Sequence, residues 1–390
     1  VYFAEADYFQ SKQDTIKKYS PSGISTVYTT SINERIGGDI AVDSNDNYYF
    51  ISERGVYPNT NDYLMKNNQI LLPLNDGFEV FVDMNDTLYF TDQIFTSPST
   101  FVDRLFRLDS GGPALLYQTS EDHVIAGIGV DSQGNFYIID IHYITYFTQI
   151  LKNGKLIYTD QNLFCDGDMT VDSRDNVYIV CSNFGAQYDE VYLVTPGKIS
   201  TVYTATHPLL TAIGGFNVDS QGNYYVSVID DSGRNNQGSQ LLKNGVPIYF
   251  ANPSDGIWSL TFPPQVPVLL VHGIYSNDAM WDQVDTALSN PPYNKHVYRV
   301  GQLLGQQGLV PNNANIISLA HQLELATVNL GANKIDIVAH SMGGLVTRQY
   351  ISSNRYRGNI RKLVMLGTPN EGAPIANNFY GGLWGAIAGQ

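Results

Sequence analysis

One serine, set among small residues, is the group in this sequence best placed for covalent chemistry. In the run Ile335-Asp-Ile-Val-Ala-His-Ser-Met-Gly-Gly-Leu-Val, Ser341 has Ala339 two residues before it and Gly343 two after. A serine hydroxyl is a weak nucleophile until a base takes its proton. A sharp strand-to-helix turn holds its Oγ where a base can reach it. The pattern is G-x-S-x-G with alanine in the first glycine position, small enough for strand and helix to pack closely. Ester or amide hydrolysis also needs two donors aimed at the tetrahedral oxyanion. One is expected from the backbone N–H of Met342, next after the nucleophile. The other is expected from Ile274 in the loop His272-Gly273-Ile274, where Gly273 lets the backbone turn an N–H inward. The His272 side chain is expected to orient this loop rather than to take a proton.

The surrounding pattern supplies elements to hold these groups. Val268 to Val271 is a continuous apolar run, the mark of a strand buried in a parallel sheet. Ser276 to Leu288 reads as a helix with Trp281, Val284 and Leu288 on one face. Val297 to Val300 is a second strand, and Asn315 to Leu330 a long amphipathic helix. The β-branched run Ile335 to Val338 leads into Ser341, and Gly343 to Ser352 leads away as a helix. Lys362 to Leu366 is the next strand. Alternating strands and helices imply a doubly wound parallel sheet over residues 268–390.

Residues 263–267 contain three prolines and form a stiff linker, before which the pattern changes completely. Residues 1–262 repeat. Val42-Asp43-Ser-Asn-Asp-Asn-Tyr-Tyr returns in related form at Val82-Asp83, Val130-Asp131, Val171-Asp172 and Val218-Asp219. A period in the forties with one hairpin per repeat points to a β-propeller of four-stranded blades. Residues 1–29 supply three strands and Gly256 to Phe262 a fourth, so a composite blade would close a ring of six, with seven as the alternative. Each repeated Asp is expected to cap its own turn rather than bind calcium, because the twelve-residue loop with its distal glutamate is absent. His123, His142 and His207 read as surface or packing residues scattered over different blades.

Composition narrows the functional classes. The chain has 390 residues and a net charge of −15. From Pro263 onward there are 8 Lys+Arg against 6 Asp+Glu, or +2, leaving −17 for the part before it. So acidic a front half argues against nucleic acid as a partner. No apolar run has transmembrane length. No cofactor or metal motif is present. The only cysteines, Cys165 and Cys181, flank one hairpin. Counting through a turn at Ser173 to Asn176 puts them out of opposition, so a bridge is the less expected outcome. The start at Val1 fits a signal peptide either removed or lying outside this sequence and carries no information by itself; a secreted, extracellular or periplasmic location is expected.

Two family resemblances follow from these motifs. The Val-Asp-x-x-Gly-Asn-x-Tyr repeats over residues 1–262 resemble those of NHL and SMP-30-like propellers. Residues 266–376 resemble an α/β-hydrolase of the bacterial lipase type, through Val-His-Gly-Ile at 271–274, Ala-His-Ser-Met-Gly-Gly at 339–344 and Leu-Gly-Thr-Pro-Asn-Glu-Gly-Ala-Pro at 366–374. The second resemblance implies Ser341 as nucleophile with Met342 and Ile274 as oxyanion donors. It also implies a lid or acyl-pocket segment at Phe379, Tyr380, Leu383, Trp384 and Ile387, which reads equally well as a core helix.

The sequence departs from that family in one respect. The triad is expected in the order Ser, Asp or Glu, His, yet no Asp or His follows Ser341. Glu371 is the only carboxylate there, and His272, His296, His321 and His340 all precede the serine. The hydrolase half is therefore expected to be C-terminally incomplete and poorly active as it stands. Two readings of the whole remain. The first is a serine hydrolase of carboxylic esters, a lipase or esterase, or an acyltransferase using the same residues. Its propeller would recognise a polymer, a surface or a protein. The second is a propeller binding protein carrying a non-catalytic hydrolase remnant.

Overall fold

The computed structural model describes residues 1–372 apart from 8–12, 21, 57–58, 98, 161–162, 166, 173, 184–187, 206–211, 220–221, 230–238, 253–254, 265, 275, 290–294, 307, 310–315, 331 and 333. The chain divides into two compact units, Val1–Pro264 and Gln265–Gln390. The lid candidates Phe379, Tyr380, Leu383, Trp384 and Ile387 lie outside the described residues, as does His207.

The first unit is built from four-stranded antiparallel meanders and is β-propeller-like. One meander is composite: Asp255–Thr261 pairs antiparallel with Tyr2–Asp7, followed by Thr15–Ser20 and Gly23–Thr29. Five more follow in chain order, beginning at Glu34, Val80, His123, Leu163 and Ala212. Their first strands neighbour one another in a closed circuit from Glu34–Val42 round to Asp255–Thr261. Strand alternation explains the stacking. In Tyr2–Asp7, Tyr2 and Ala4 pack with Ile40 and Phe50 on one side, while Phe3 packs with Leu241 and Ile257 on the other. Both faces of a strand are thus buried between neighbouring sheets.

The repeated motif is a turn device. Asp43 Oδ1 accepts the N–H groups of Asn45 and Asn47, each at 2.9 Å. Asp83, Asp131 and Asp172 do the same in their own turns. The tyrosine six residues on donates its hydroxyl to the second oxygen, as Tyr49 does to Asp43 at 3.0 Å and Tyr137 to Asp131 at 3.2 Å. Turns also join across repeats: Ser44 donates to Asp86, and Ser132 to Asp175. At the other hairpin end, Asn153-Gly154 and Asn244-Gly245 both hold positive φ in succession, the two-residue turn that fits the strand twist.

Two expectations are corrected here. Cys165 and Cys181 are disulfide-bonded, with Cα atoms 3.9 Å apart. The count through the turn failed because the pairing changes register partway. Met169 faces Ile179, but Phe164 faces Ser182 and Leu163 faces Asn183. Residues between the two short strands take up the slip, and the outer register carried one step inward sets Cys165 against Cys181. Second, His123 and His142 are not on different blades. They are cross-strand partners with ring centroids 4.9 Å apart, and His123 Nδ1 meets Asp140 at 2.5 Å.

The second unit has a parallel four-stranded sheet in the order Val297–Arg299, Val268–Val271, Ile335–His340, Ile360–Leu366. Helices Asp282–Ser289, Val300–Leu304, Ile316–Leu330 and Met342–Ile351 accompany it. Val268–Val271 is buried along its whole length, as a central parallel strand must be. The strand expected over Val297 to Val300 ends at Arg299, and Val300 instead opens the short helix. Asp278 redirects the chain there by accepting the N–H groups of Gly301 and Gln302, which caps that helix.

Candidate active site

Ser341 sits between strand Ile335–His340 and helix Met342–Ile351 with φ 53° and ψ −124°. An L-residue with a Cβ rarely adopts that backbone, and it is strained. The surroundings impose it. The Ser341 N–H donates to the Leu366 carbonyl on the neighbouring strand at 2.9 Å, and the Ser341 carbonyl accepts from Gly344 N–H at 3.1 Å. Ser341 makes no side-chain capping bond to its own helix. Its hydroxyl is thus not spent on the role serine usually plays at a helix start.

The small residues are required by contact. A Cβ on Gly343 would lie 2.6 Å from the carbonyl oxygens of both Val271 and His272. One on Gly344 would fall 2.1 Å from Thr368 Oγ1. One on Gly273 would approach Ser341 Cβ to 2.8 Å and His340 Nδ1 to 3.2 Å. The loop 272–274 therefore lies directly against Ser341. Met342 opens the helix, so its N–H has no carbonyl a turn earlier to donate to. Ile274 packs against the apolar cluster that contains Met342, Val271 and Ala339.

His272 is 1% exposed and both its nitrogens are engaged. Nδ1 faces the Gly273 carbonyl at 2.7 Å, so it must donate. Nε2 accepts the Leu309 N–H at 2.8 Å. That pattern fixes one neutral tautomer, and the ring ties the loop at 272–274 to the chain at 308–309. Gly308 is needed for this, since a Cβ there would lie 2.0 Å from Nε2. His340 differs: its Nδ1 is buried without a hydrogen-bond partner, as is Thr368 Oγ1. His321 is engaged with Glu324 and Arg355 at the surface. Glu371 is exposed.

Sequence reasoning missed a second group of ionisable residues, in the first unit. Burial, and then the Asp39 carboxyl, push the Glu79 carboxyl well above the usual carboxylate range. Asp168 is raised for the same two reasons. Burial also pushes Asp103 and Asp76 up to about 6. None of these is a repeat aspartate. They meet only because the meanders close in a circuit, which leaves no local signal. Among the described residues no group of three or more His, Cys, Asp or Glu could hold a metal ion.

The profile of a family described as a domain of unknown function, DUF7379, matches residues 309–379, which include Ser341. Among solved structures, the chain is similar to prolyl oligopeptidase B from Galerina marginata, at 10% identity and TM-score 0.36. That match covers 90% of this chain, which spans 59% of the peptidase's length. A protein from Lactobacillus plantarum matches at 9% identity over 66% of this chain and 99% of its own, with TM-score 0.37. The Hadza microbial sialidase Hz136 matches at 9% identity over 60% and 63%, with TM-score 0.31.

Proposed function

We propose that the Gln265–Gln390 unit carries the nucleophile and oxyanion hole of a serine hydrolase of the lipase or esterase type, acting on carboxylic esters. The observation that carries this reading is the strained backbone of Ser341 directly against Gly273. Strain at a residue with a side chain is retained where the position has a use. Ser341 Oγ attacks the acyl carbon, and the Met342 and Ile274 N–H groups stabilise the oxyanion. The ester C–O bond breaks, the alcohol departs with a proton, and water then releases the acid from Ser341. An alcohol in place of water would make the same site an acyltransferase. His272 and Gly273 position the loop. Among these 390 residues no Asp or His follows Ser341, so this polypeptide is expected to react slowly.

The first unit is proposed as the recognition module. The disulfide at Cys165–Cys181 supports an oxidising compartment, extracellular or periplasmic. No described helix is long and apolar enough to cross a membrane.

The test is a fluorophosphonate probe followed by peptide mapping. The hydrolase reading expects a slow adduct confined to Ser341, forming faster as pH rises, and absent from Ser341→Ala. The second reading is a propeller binding protein with a non-catalytic remnant. It expects Ser341 to label no faster than surface serines, and that result would overturn the first.

A further inference from the structure

A cavity of about 620 Å³ opens in the first unit, within the size range of small-ligand pockets. Its walls are aromatic. Phe101 meets Tyr143 edge to face with centroids 5.7 Å apart, and meets Phe95 in the same manner at 6.3 Å. Rings at right angles form adjacent walls rather than a stack. Phe95, Tyr143 and Tyr146 are 65, 59 and 52% exposed, so their ring faces are uncovered where a soluble protein would ordinarily cover them.

The rim is built rather than loose. Tyr146 holds φ 56°, a conformation costly for a bulky side chain. Its N–H donates to the His142 carbonyl at 2.8 Å. His142 Nδ1 in turn accepts from Ile144 and Thr145 N–H at 3.3 and 3.2 Å. That imidazole fixes the loop that presents both tyrosines.

The pocket's charge is of one sign. Glu79 and Asp103 line it, and among the described residues no lysine or arginine does. Asp103 accepts from Gln93 at 2.7 Å and from the Ile125 N–H at 2.8 Å. Asp39 and Asp168 press on Glu79, and Asp140 and Asp92 on Asp103, and all of these are acidic. A neutral apolar occupant would strip water from carboxyls already short of compensating charge. A cation answers both features at once: ring faces meet its surface, and its charge draws protons off carboxyls that burial and neighbouring acids hold raised.

We propose that this pocket binds a small organic cation bearing a quaternary ammonium group. The pocket lies wholly within Val1–Pro264, and the proposal stands whether or not Ser341 is a nucleophile. It gives the recognition role of that unit a definite ligand chemistry.

The experiment is isothermal titration of the full 390-residue chain with choline and with 3,3-dimethylbutan-1-ol, its neutral carbon isostere. Choline is expected to bind at least about tenfold more tightly than the isostere, as a desolvated cation over ring faces should. Tyr143→Ala removes an exposed ring and should abolish choline binding, while Tyr143→Phe retains it. Glu79→Gln should weaken choline and leave the isostere unchanged. Ser341→Ala should bind choline like the parent, which separates this proposal from the hydrolase reading. Equal affinity for choline and isostere would overturn the proposal, as would undiminished binding by Tyr143→Ala. Flotation with phosphatidylcholine vesicles distinguishes the source. Tyr143-dependent flotation identifies a lipid headgroup, and binding of free choline without flotation identifies a soluble cation.

Discussion

Both units contain turns with positive φ, and they treat them differently. In the first unit the positions fall largely on residues that tolerate that backbone, among them Asp46, Asp86, Asp175, Asn153 and Asn244, with Tyr146 and Ser259 the exceptions. Short polar side chains lose little in the left-handed region and find local partners there. Asn153 Oδ1 accepts the Phe136 N–H at 3.0 Å, and Asn244 Oδ1 accepts the Tyr224 N–H at 3.0 Å. In the second unit Ser341 takes φ 53° with ψ −124° and receives no such return. One class of turn is shaped by what is cheap. The other keeps a costly residue where glycine would be easier, and the hydrolase reading supplies the reason.

The largest expected effect tests that contrast at its centre. Ser341→Ala should eliminate the fluorophosphonate adduct entirely while leaving circular dichroism and thermal unfolding near those of the parent. On the structural side, Asp131→Ala should be severe. Asp131 accepts from Gln133 N–H, Asn135 N–H, Tyr137 hydroxyl and Lys152 ammonium. Losing it strands several donors at once, at about 1–3 kcal/mol for each one left buried. Urea unfolding followed by intrinsic fluorescence would measure it. A loss no larger than that of a surface substitution would show that the repeat aspartates do not hold the turns.

The strain itself can be weighed. If Ser341 is held against its backbone preference, Ser341→Gly should be more stable than Ser341→Ala by about 1–2 kcal/mol. Both variants lack the hydroxyl, so the difference reports backbone alone. Equal midpoints would remove strain from the argument and leave only the contact with Gly273.

Glu34 gives the first unit a pH signature. Burial works to raise its carboxyl, but hydrogen bonds from Ser31, Ser52 and Tyr28 outweigh it and hold the value down at about 2. Arg54 adds an ion pair at 2.9 Å. A depressed carboxyl contributes stability that is fully present above its unfolded value near 4.5 and is lost as pH falls toward 2. The melting temperature should therefore drop across that window. Glu34→Gln should start lower and flatten the drop. Parallel profiles for parent and variant would count against the linkage.

How much of this was readable in the sequence depended on distance along the chain. The Asp–Asn–Tyr turns were legible because donors and acceptor lie within six residues, and chemistry at that spacing admits few geometries. The Ser341 turn was legible for the same reason. The disulfide was not, since a register slip between Phe164 and Met169 leaves no mark a residue count can detect. The pairing of His123 with His142 required knowing where two strands begin. The clustering of Glu79 with Asp39 and Asp168 required the circuit to close, which joins residues about 40 to 130 apart in sequence. Aromatic walls around the 620 Å³ cavity arise in the same way, from several meanders at once.

The smallest expected effect sets the scale for the rest. Asn153 is the reference for an inexpensive positive-φ turn. Its Nδ2 donates to Asn135 Oδ1 at 2.8 Å, and both of its side-chain bonds are exposed. Asn153→Gly gives up those bonds but relieves the backbone, and the two should cancel to within about 0.5 kcal/mol. Asn153→Ala gives up the same bonds with no relief and should cost about 1 kcal/mol. The gap between Gly and Ala here measures the ordinary left-handed penalty at a two-residue hairpin. Ser341 should show a larger gap, because its ψ of −124° lies far from the value near +47° of the left-handed well. If the two gaps prove equal, Ser341 is just another tolerated turn residue. Its geometry would then no longer separate the second unit from the first.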